Sequence, residues 1–197
     1  MSSQLIISVG REFGSGGHEI AEKLAKHYGI PLLDHNLLEE IAQKKDLNHG
    51  ELASLDEKKR KLLWSRTVKG FNNSPEANVS KLQFDYLREK AAAGESFVIV
   101  GRCSESVLKE YDAMVSIFIL GESEHKIERV MERHNLSRNA AQKLMQEKDY
   151  KRKRYHNSYC EGKWGDSRNY DISVNSSRLG VDKTVEVLVD FIDKGRL

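Results

Sequence analysis

The sequence predicts an α/β fold of three layers, α/β/α, in which a five-stranded parallel sheet lies between helices. Three observations carry this. Five short strand-like apolar runs alternate with helical segments along the chain, the pattern of a parallel sheet wrapped on both sides. Phe97-Val98-Ile99-Val100 and Met114 to Leu120 are near-continuous in apolar and β-branched residues, as strands covered on both faces are. The first run, Leu5 to Val9, leads through a turn containing Gly14, Gly16 and Gly17 into a segment of helical periodicity. Strand, glycine-rich turn and helix follow one another without a break.

The 197 residues suffice for a single domain, 1–197, with a full core. A charged fraction of 31%, a hydrophobic fraction of 39% and a net charge of +2 exclude a disordered chain and a broadly nucleic-acid-binding one. No apolar stretch approaches the roughly 20 residues of a membrane span, and the N-terminus carries no signal-peptide pattern. A cytoplasmic protein with neither a nucleic-acid nor a membrane partner is expected. Cys103 and Cys160 are far apart and form no C-x-x-C pair, which argues against a disulfide framework and against a structural metal.

The elements follow in order. A helix from about His18 to His27 carries Ile20, Ala21, Leu24 and Ala25 on one face, and Tyr28-Gly29 closes it. Ile30-Pro31-Leu32-Leu33 reads as a short second strand, with proline where no ladder N–H is needed. Asp34 then serves as a helix cap or as a polar group at a strand's C-terminal end, where open α/β sheets place their ligands. From Leu47 to Lys90 the pattern is helical with polar breaks. It includes a solvated Lys58-Lys59-Arg60-Lys61 run, Trp64 and Phe71 as core candidates, and a helix from Val79 to Ala93 stopped by Gly94. The third strand ends at Gly101-Arg102. The fifth is read as Tyr170 to Val174, before an amphipathic helix from Val181 to Phe191.

The turn at residues 14–18 is a candidate anion site. Glycines there let the backbone turn with positive φ and come close to a ligand, and N–H groups at a helix start attract negative oxygen. The dinucleotide fingerprint G-x-G-x-x-G fails, because Glu19 stands at its third glycine. The Walker loop G-x-x-x-x-G-K-[ST] fits in frame but not in letters. Arg11 occupies the first glycine position, Gly17 the lysine position and His18 the position of the Mg²⁺-binding hydroxyl. The cradle is present and its usual cation is not. Between the fourth and fifth strands lies the densest charge in the chain, with Arg129, Arg133, Asp149, Arg152 and Arg154 among it. It reads either as a solvated helical pair or as a basic segment folding over the cradle.

Taken together these stretches resemble the nucleoside monophosphate kinases, and within them the cytidylate-kinase-like branch of the P-loop kinases. The opening Ile6 to Ala21 resembles that branch's phosphate loop in its Arg-Glu-Phe-Gly-Ser-Gly-Gly form. Val100-Gly101-Arg102, Asp112-Ala113 and Ser116 to Ile119 are similar to its Gly-Arg-Asp and Pro-Asp-Ala blocks. Arg129, Arg133, Lys148-Asp149, Arg152 and Arg154 resemble its arginine-rich lid, and Asp171-Ile172-Ser173 the strand after it. Cys103 replaces the aspartate of Gly-Arg-Asp, and Glu110-Tyr111 stands before Asp112 where the family has proline.

The resemblance implies a P-loop kinase fold with a helical acceptor-binding region at 35–95 and a lid at 121–168. It also implies ATP and Mg²⁺ as cofactors. Arg11, Gly14, Ser15, Gly16, Gly17 and His18 would hold the donor phosphates. Asp34, Arg102 and Asp149 would bind the acceptor. Arg102, Arg129, Arg133, Arg152 and Arg154 would act on the transferring group. Two functions remain open, a phosphotransferase acting on a nucleoside monophosphate and a module that binds a nucleotide or phosphometabolite without turning it over.

Overall fold

The computed structural model describes residues 4–34, 37, 41 and 75–195. The expected features between Leu47 and Phe71, including Trp64 and the lysine run, lie outside the described residues. The strands are β1 (Ile6–Arg11), β2 (Leu32–Leu33), β3 (Phe97–Val100), β4 (Met114–Leu120) and β5 (Ile172–Asn175). They pair in parallel in the order β2-β3-β1-β4-β5. β1 is central, with Ile6 opposite Phe97 on one side and Met114 on the other. Its loop therefore emerges at the middle of the sheet's carboxyl edge, where open α/β sheets bind ligands.

Side chains alternate across β1, so successive residues enter different cores. Leu5, Ile7 and Val9 pack on Ile20, Ala21 and Leu24 of α1 (Gly17–Tyr28) and on Leu188 and Ile192 of α6 (Ser176–Gly195). Ile6 joins Phe97 and Ile99 under Tyr86, Leu87 and Ala91 of α2 (Pro75–Ala92) and Leu108, which follows the short α3 (Ser104–Val107). Helices cover both faces, which is the expected three-layer arrangement. Each such buried Leu or Ile contributes roughly 1.5–3 kcal/mol.

A third, smaller core joins α4 (Ser123–His134) to α5 (Arg138–Tyr159) through Ile127, Val130, Ala141 and Met145. Phe13, from the glycine-rich turn, packs against it. Asn135, in the left-handed conformation, closes α4, and the Ser137 hydroxyl caps α5 by accepting from the Ala140 N–H. These two helices are the arginine-rich segment, and they lie directly against the phosphate-loop candidate.

Several boundaries differ from the sequence reading, among them α2, which starts at Pro75 rather than Val79, and β2, which starts at Leu32 rather than Ile30. β1 continues two residues past Val9, so Arg11 leaves the sheet with strand geometry. β5 starts at Ile172 rather than Tyr170, because the Asp171 carboxylate accepts from the Ser116 N–H and hydroxyl, both at 2.7 Å, before the ladder begins. The last helix starts at Ser176, and Gly180, with φ 72°, kinks it ahead of the expected Val181 start.

Candidate functional site

The turn after β1 is shaped from inside by buried polar groups. The Ser15 hydroxyl donates to the Glu12 carbonyl at 2.8 Å, and the Ser176 hydroxyl donates to the Ser15 carbonyl. Ser15 is buried, so this expected phosphate ligand holds the loop's shape instead of facing its cavity. Gly14 and Gly16 have φ of 85° and 78°. Gly16 precedes α1 with no side-chain acceptor, which leaves first-turn N–H groups available to a ligand. A Cβ on Gly14 would meet the Lys126 carbonyl at 2.8 Å, so only glycine lets α4 pack this closely.

Lid residues hold the loop from outside. The Phe13 N–H donates to Asp149 Oδ1 at 2.7 Å, and Arg152 lies over the Phe13 ring while donating to the Arg11 carbonyl at 3.3 Å. Lys126 pairs with Glu12 at 2.7 Å, and Glu12 also accepts from the Gly121 N–H. Burial raises the pKa of the Asp149 carboxyl, against its hydrogen bond from Phe13 and the nearby Arg152 charge. Asp149 thus fastens the turn to α5; it does not line the cavity reached by Asp34 and Arg102.

The Walker-frame departures at positions 11 and 17 form one device. A Cβ on Gly17 would stand 2.5 Å from the Arg11 Cβ, far inside contact distance. The Arg11 side chain therefore starts in the space that a lysine at position 17 would need. Its far end approaches Gly101, where a Cβ would be 2.6 Å from Arg11 Nη1. The guanidinium has no ion-pair partner among the described residues. Burial, then Arg152 and Arg102, bring its pKa down to about 10, with Asp34 opposing.

Two cavities meet at Arg11 and Arg152. A cavity of about 250 Å³ lies over the turn, walled by Gly14, Gly16, Gly17 and His18 and by Arg11, Arg129, Arg133 and Arg152. The other, of about 360 Å³, is reached by Arg11, Arg152, Asp34 and Arg102 and walled by Tyr155, Trp164 and Tyr170. Arg129 pairs with Glu19, and its guanidinium would lie 3.3 Å from a Cβ on Gly16. Arg133 and Arg102 have no ion-pair partner among the described residues. Arg154 is exposed on α5 and lines neither cavity.

Arg102 is aimed by an unusual backbone. Gly101, Arg102 and Cys103 take φ of 75°, 62° and 56° in succession. Left-handed conformations at two consecutive non-glycine residues cost of order 1–3 kcal/mol each and gather at functional sites. The turn is fastened by the Ser104 hydroxyl, which donates to the Gly101 carbonyl at 2.8 Å and lies 2.7 Å from the buried Ser8 hydroxyl. His18 Nε2 meets Asp34 Oδ2 at 2.6 Å, and its Nδ1 lies 3.5 Å from Glu22.

The family model that matches residues 6–178 is that of the cytidylate kinase-like family. The chain belongs to the cytidylate kinase-like family. A cytidylate kinase of Methanopyrus kandleri is 25% identical over 202 residues, spanning 98% of this chain and 95% of its own. A solved structure of an uncharacterized protein from Eubacterium ventriosum ATCC 27560 is 41% identical, with a TM-score of 0.76 over 96% of this chain and 99% of that one. Shikimate kinase from Bacteroides thetaiotaomicron has a TM-score of 0.54 at 15% identity, over 96% of this chain and 98% of its own, which shows the shared fold. The fold is thus the P-loop kinase fold expected from the resemblance. Among the described residues no helix is long and apolar enough to cross a membrane.

Sequence reasoning missed Glu12, Lys126 and Trp164. Trp164 had a signal: an isolated aromatic within the polar Glu161-Gly162-Lys163-Trp164-Gly165-Asp166 stretch. In the fold it meets Phe118 edge-on at 5.4 Å and walls the second cavity. Cys103, after β3, and Cys160, at the end of α5, are free cysteines, and Cys160 Sγ lies 4.0 Å from Glu105 Oε1.

Proposed function

We propose that this cytidylate kinase-like protein transfers the γ-phosphoryl group of ATP to a nucleoside monophosphate, with Arg11 in the electrostatic role that other phosphate loops give to lysine. The observation that carries this reading is the Arg11–Gly17 exchange, which sets one guanidinium between the loop cavity and the acceptor-side cavity. The donor's phosphates lie on the first-turn N–H groups of α1 and between Arg129 and Arg133. The acceptor phosphate is held by Arg102, and its base lies among Tyr155, Trp164 and Tyr170. Asp34 helps orient the acceptor.

An acceptor phosphate oxygen attacks the γ-phosphorus, the bond to the β-γ bridging oxygen breaks, and ADP leaves with that electron pair. No base is required, because the acceptor oxygen is already ionised at neutral pH. Arg11 and Arg152 face the oxygens on which charge spreads. Supplied arginines of this kind are worth about 10³- to 10⁵-fold in rate. The lid at 121–168 excludes water through the contacts of Phe13 and Arg152. Arg154, exposed on α5, is left as a rim contact.

The side chains present do not make the usual Mg²⁺ site. His18 stands in the hydroxyl position and contacts Asp34 and Glu22, and the Ser15 hydroxyl is buried and committed to Glu12. Hard cations prefer oxygen ligands, and no step is assigned to the metal. His18 in that position favours a second reading, a binding module that retains nucleotide without turnover.

Calorimetry with a non-hydrolysable ATP analogue, followed by an ADP-release assay across the nucleoside monophosphates, separates the two. The kinase reading predicts turnover with at least one monophosphate, abolished in Arg102→Ala with ATP-analogue affinity retained. Tight nucleotide binding without ADP release for any acceptor would establish the module.

A further inference from the structure

The machinery above leaves one buried cluster of reactive groups unused. Glu105, the second residue of α3, meets His156 of α5 with Oε1 and Nε2 2.6 Å apart. Cys160, which ends α5, places its Sγ 4.0 Å from the same Oε1. His156 and Cys160 share a helix face because they are four residues apart, and the Cys160 N–H still donates to the His156 carbonyl at 2.9 Å. The three donor atoms lie within 4.8 Å of one another. Glu105 and His156 are buried.

We propose that Glu105, His156 and Cys160 bind a zinc-class divalent ion, with water in the fourth position. The donors are a carboxylate oxygen, an imidazole nitrogen and a thiolate, the types zinc accepts in tetrahedral sites. With metal–oxygen and metal–nitrogen bonds of about 2.0–2.2 Å and metal–sulfur bonds of about 2.3 Å, tetrahedral edges are about 3.3–3.7 Å. The imidazole–carboxylate contact must therefore open by less than about 1 Å, and the thiol must close by a few tenths.

A buried His–Glu pair alone would be a self-satisfied contact. Here a thiol converges on the same point: Cys160 Sγ lies 4.0 Å from the carboxylate oxygen that the imidazole also meets. A cavity of about 660 Å³, lined by Glu105, His156 and Cys160, gives the ion a way in. The bound ion would brace the strained turn bearing Arg102 against the C-terminal end of α5.

The test uses the tag-free full-length chain, reduced and metal-free, titrated with Co²⁺ and then Zn²⁺. The expected result is one Co²⁺ per chain, a thiolate-to-cobalt charge-transfer band with tetrahedral ligand-field intensity, and loss of both on adding one equivalent of Zn²⁺. Zn²⁺ affinity falls at least 100-fold in Cys160→Ser and His156→Asn. In case the buried variants fail to fold, the wild-type chain supplies a second readout: Zn²⁺ slows alkylation of Cys160 at least tenfold by mass spectrometry. Absence of saturable 1:1 uptake, a spectrum without thiolate ligation, or Cys160 alkylation unaffected by Zn²⁺ overturns the site.

Discussion

Replacing Gly17 by alanine adds a single methyl group and probes the device at the centre of the site. Gly17 has no positive φ, so the substitution meets no backbone penalty there, and alanine favours the first turn of α1. The obstacle is steric: the new Cβ would lie 2.5 Å from the Arg11 Cβ and 3.3 Å from the Ile119 Cβ. Neither atom is the free end of a flexible chain, so relief requires β1 and α1 to move apart. Overpacking of this kind costs about 1–3 kcal/mol, which for a chain of this size lowers Tm by about 2–12 °C. The assay is thermal and urea unfolding of the Gly17→Ala, Arg11→Ala and Arg11→Gly single variants and the two double variants. Arg11→Ala keeps the offending Cβ and Arg11→Gly removes it. The Arg11→Gly/Gly17→Ala pair therefore shows a favourable coupling of at least about 1 kcal/mol, and Arg11→Ala/Gly17→Ala shows little. By the same logic Gly17→Lys alone does not recreate a Walker loop, because its side chain begins in occupied space. A Gly17→Ala variant that melts with the wild type, or is rescued equally by Arg11→Ala, would refute the reasoning.

Other outcomes follow from the same contacts. Gly101→Ala must adopt φ of 75° and displace Arg11 Nη1, 2.6 Å from the new Cβ, so it lowers stability by about 1 kcal/mol or more and weakens sulfate or ATP-analogue binding in calorimetry. Asp149→Ala leaves the Phe13 N–H without its 2.7 Å acceptor, a loss of about 1–3 kcal/mol; faster proteolysis of the loop and weaker ATP-analogue binding report it. Ser8→Ala deletes the 2.7 Å hydroxyl contact to buried Ser104; the Ser104 hydroxyl keeps its bond to Gly101, so the cost in urea unfolding is the net worth of one hydrogen bond, about 0.5–1.5 kcal/mol. Because burial sets the Arg11 pKa at about 10, the cation is complete at neutral pH. Anion affinity, followed by thermal shift with sulfate, falls as pH rises through that value in the wild type.

The sheet was legible because its rules are local. Continuous apolar runs such as Phe97 to Val100 can only be strands with both faces covered, and the glycines after Val9 could only be a turn with an exacting backbone. The loop's departures from the Walker pattern were also visible in letters. Their meaning was not: that Arg11 and Gly17 are one exchange depends on two Cβ positions across the β1–α1 junction, a contact that no spacing rule encodes. The direction of the Ser15 hydroxyl was not legible for a related reason, since whether a loop hydroxyl points outward or caps its own turn is decided by buried partners such as Glu12 and Ser176. Asp149 was recognised as important for its place in a motif, while its partner, the Phe13 N–H, lies 136 positions away. The approach of Cys160 to Glu105 was hidden by the same long-range folding.

The most direct measurement of the central claim is a crystal structure with a non-hydrolysable ATP analogue and a nucleoside monophosphate. The account predicts phosphate oxygens on the first-turn N–H groups of α1 and the Arg11 guanidinium within hydrogen-bonding distance of the γ-phosphate. A bound nucleotide whose phosphates are neutralised by other side chains, with Arg11 still folded against Gly101 and touching no phosphate, would contradict it.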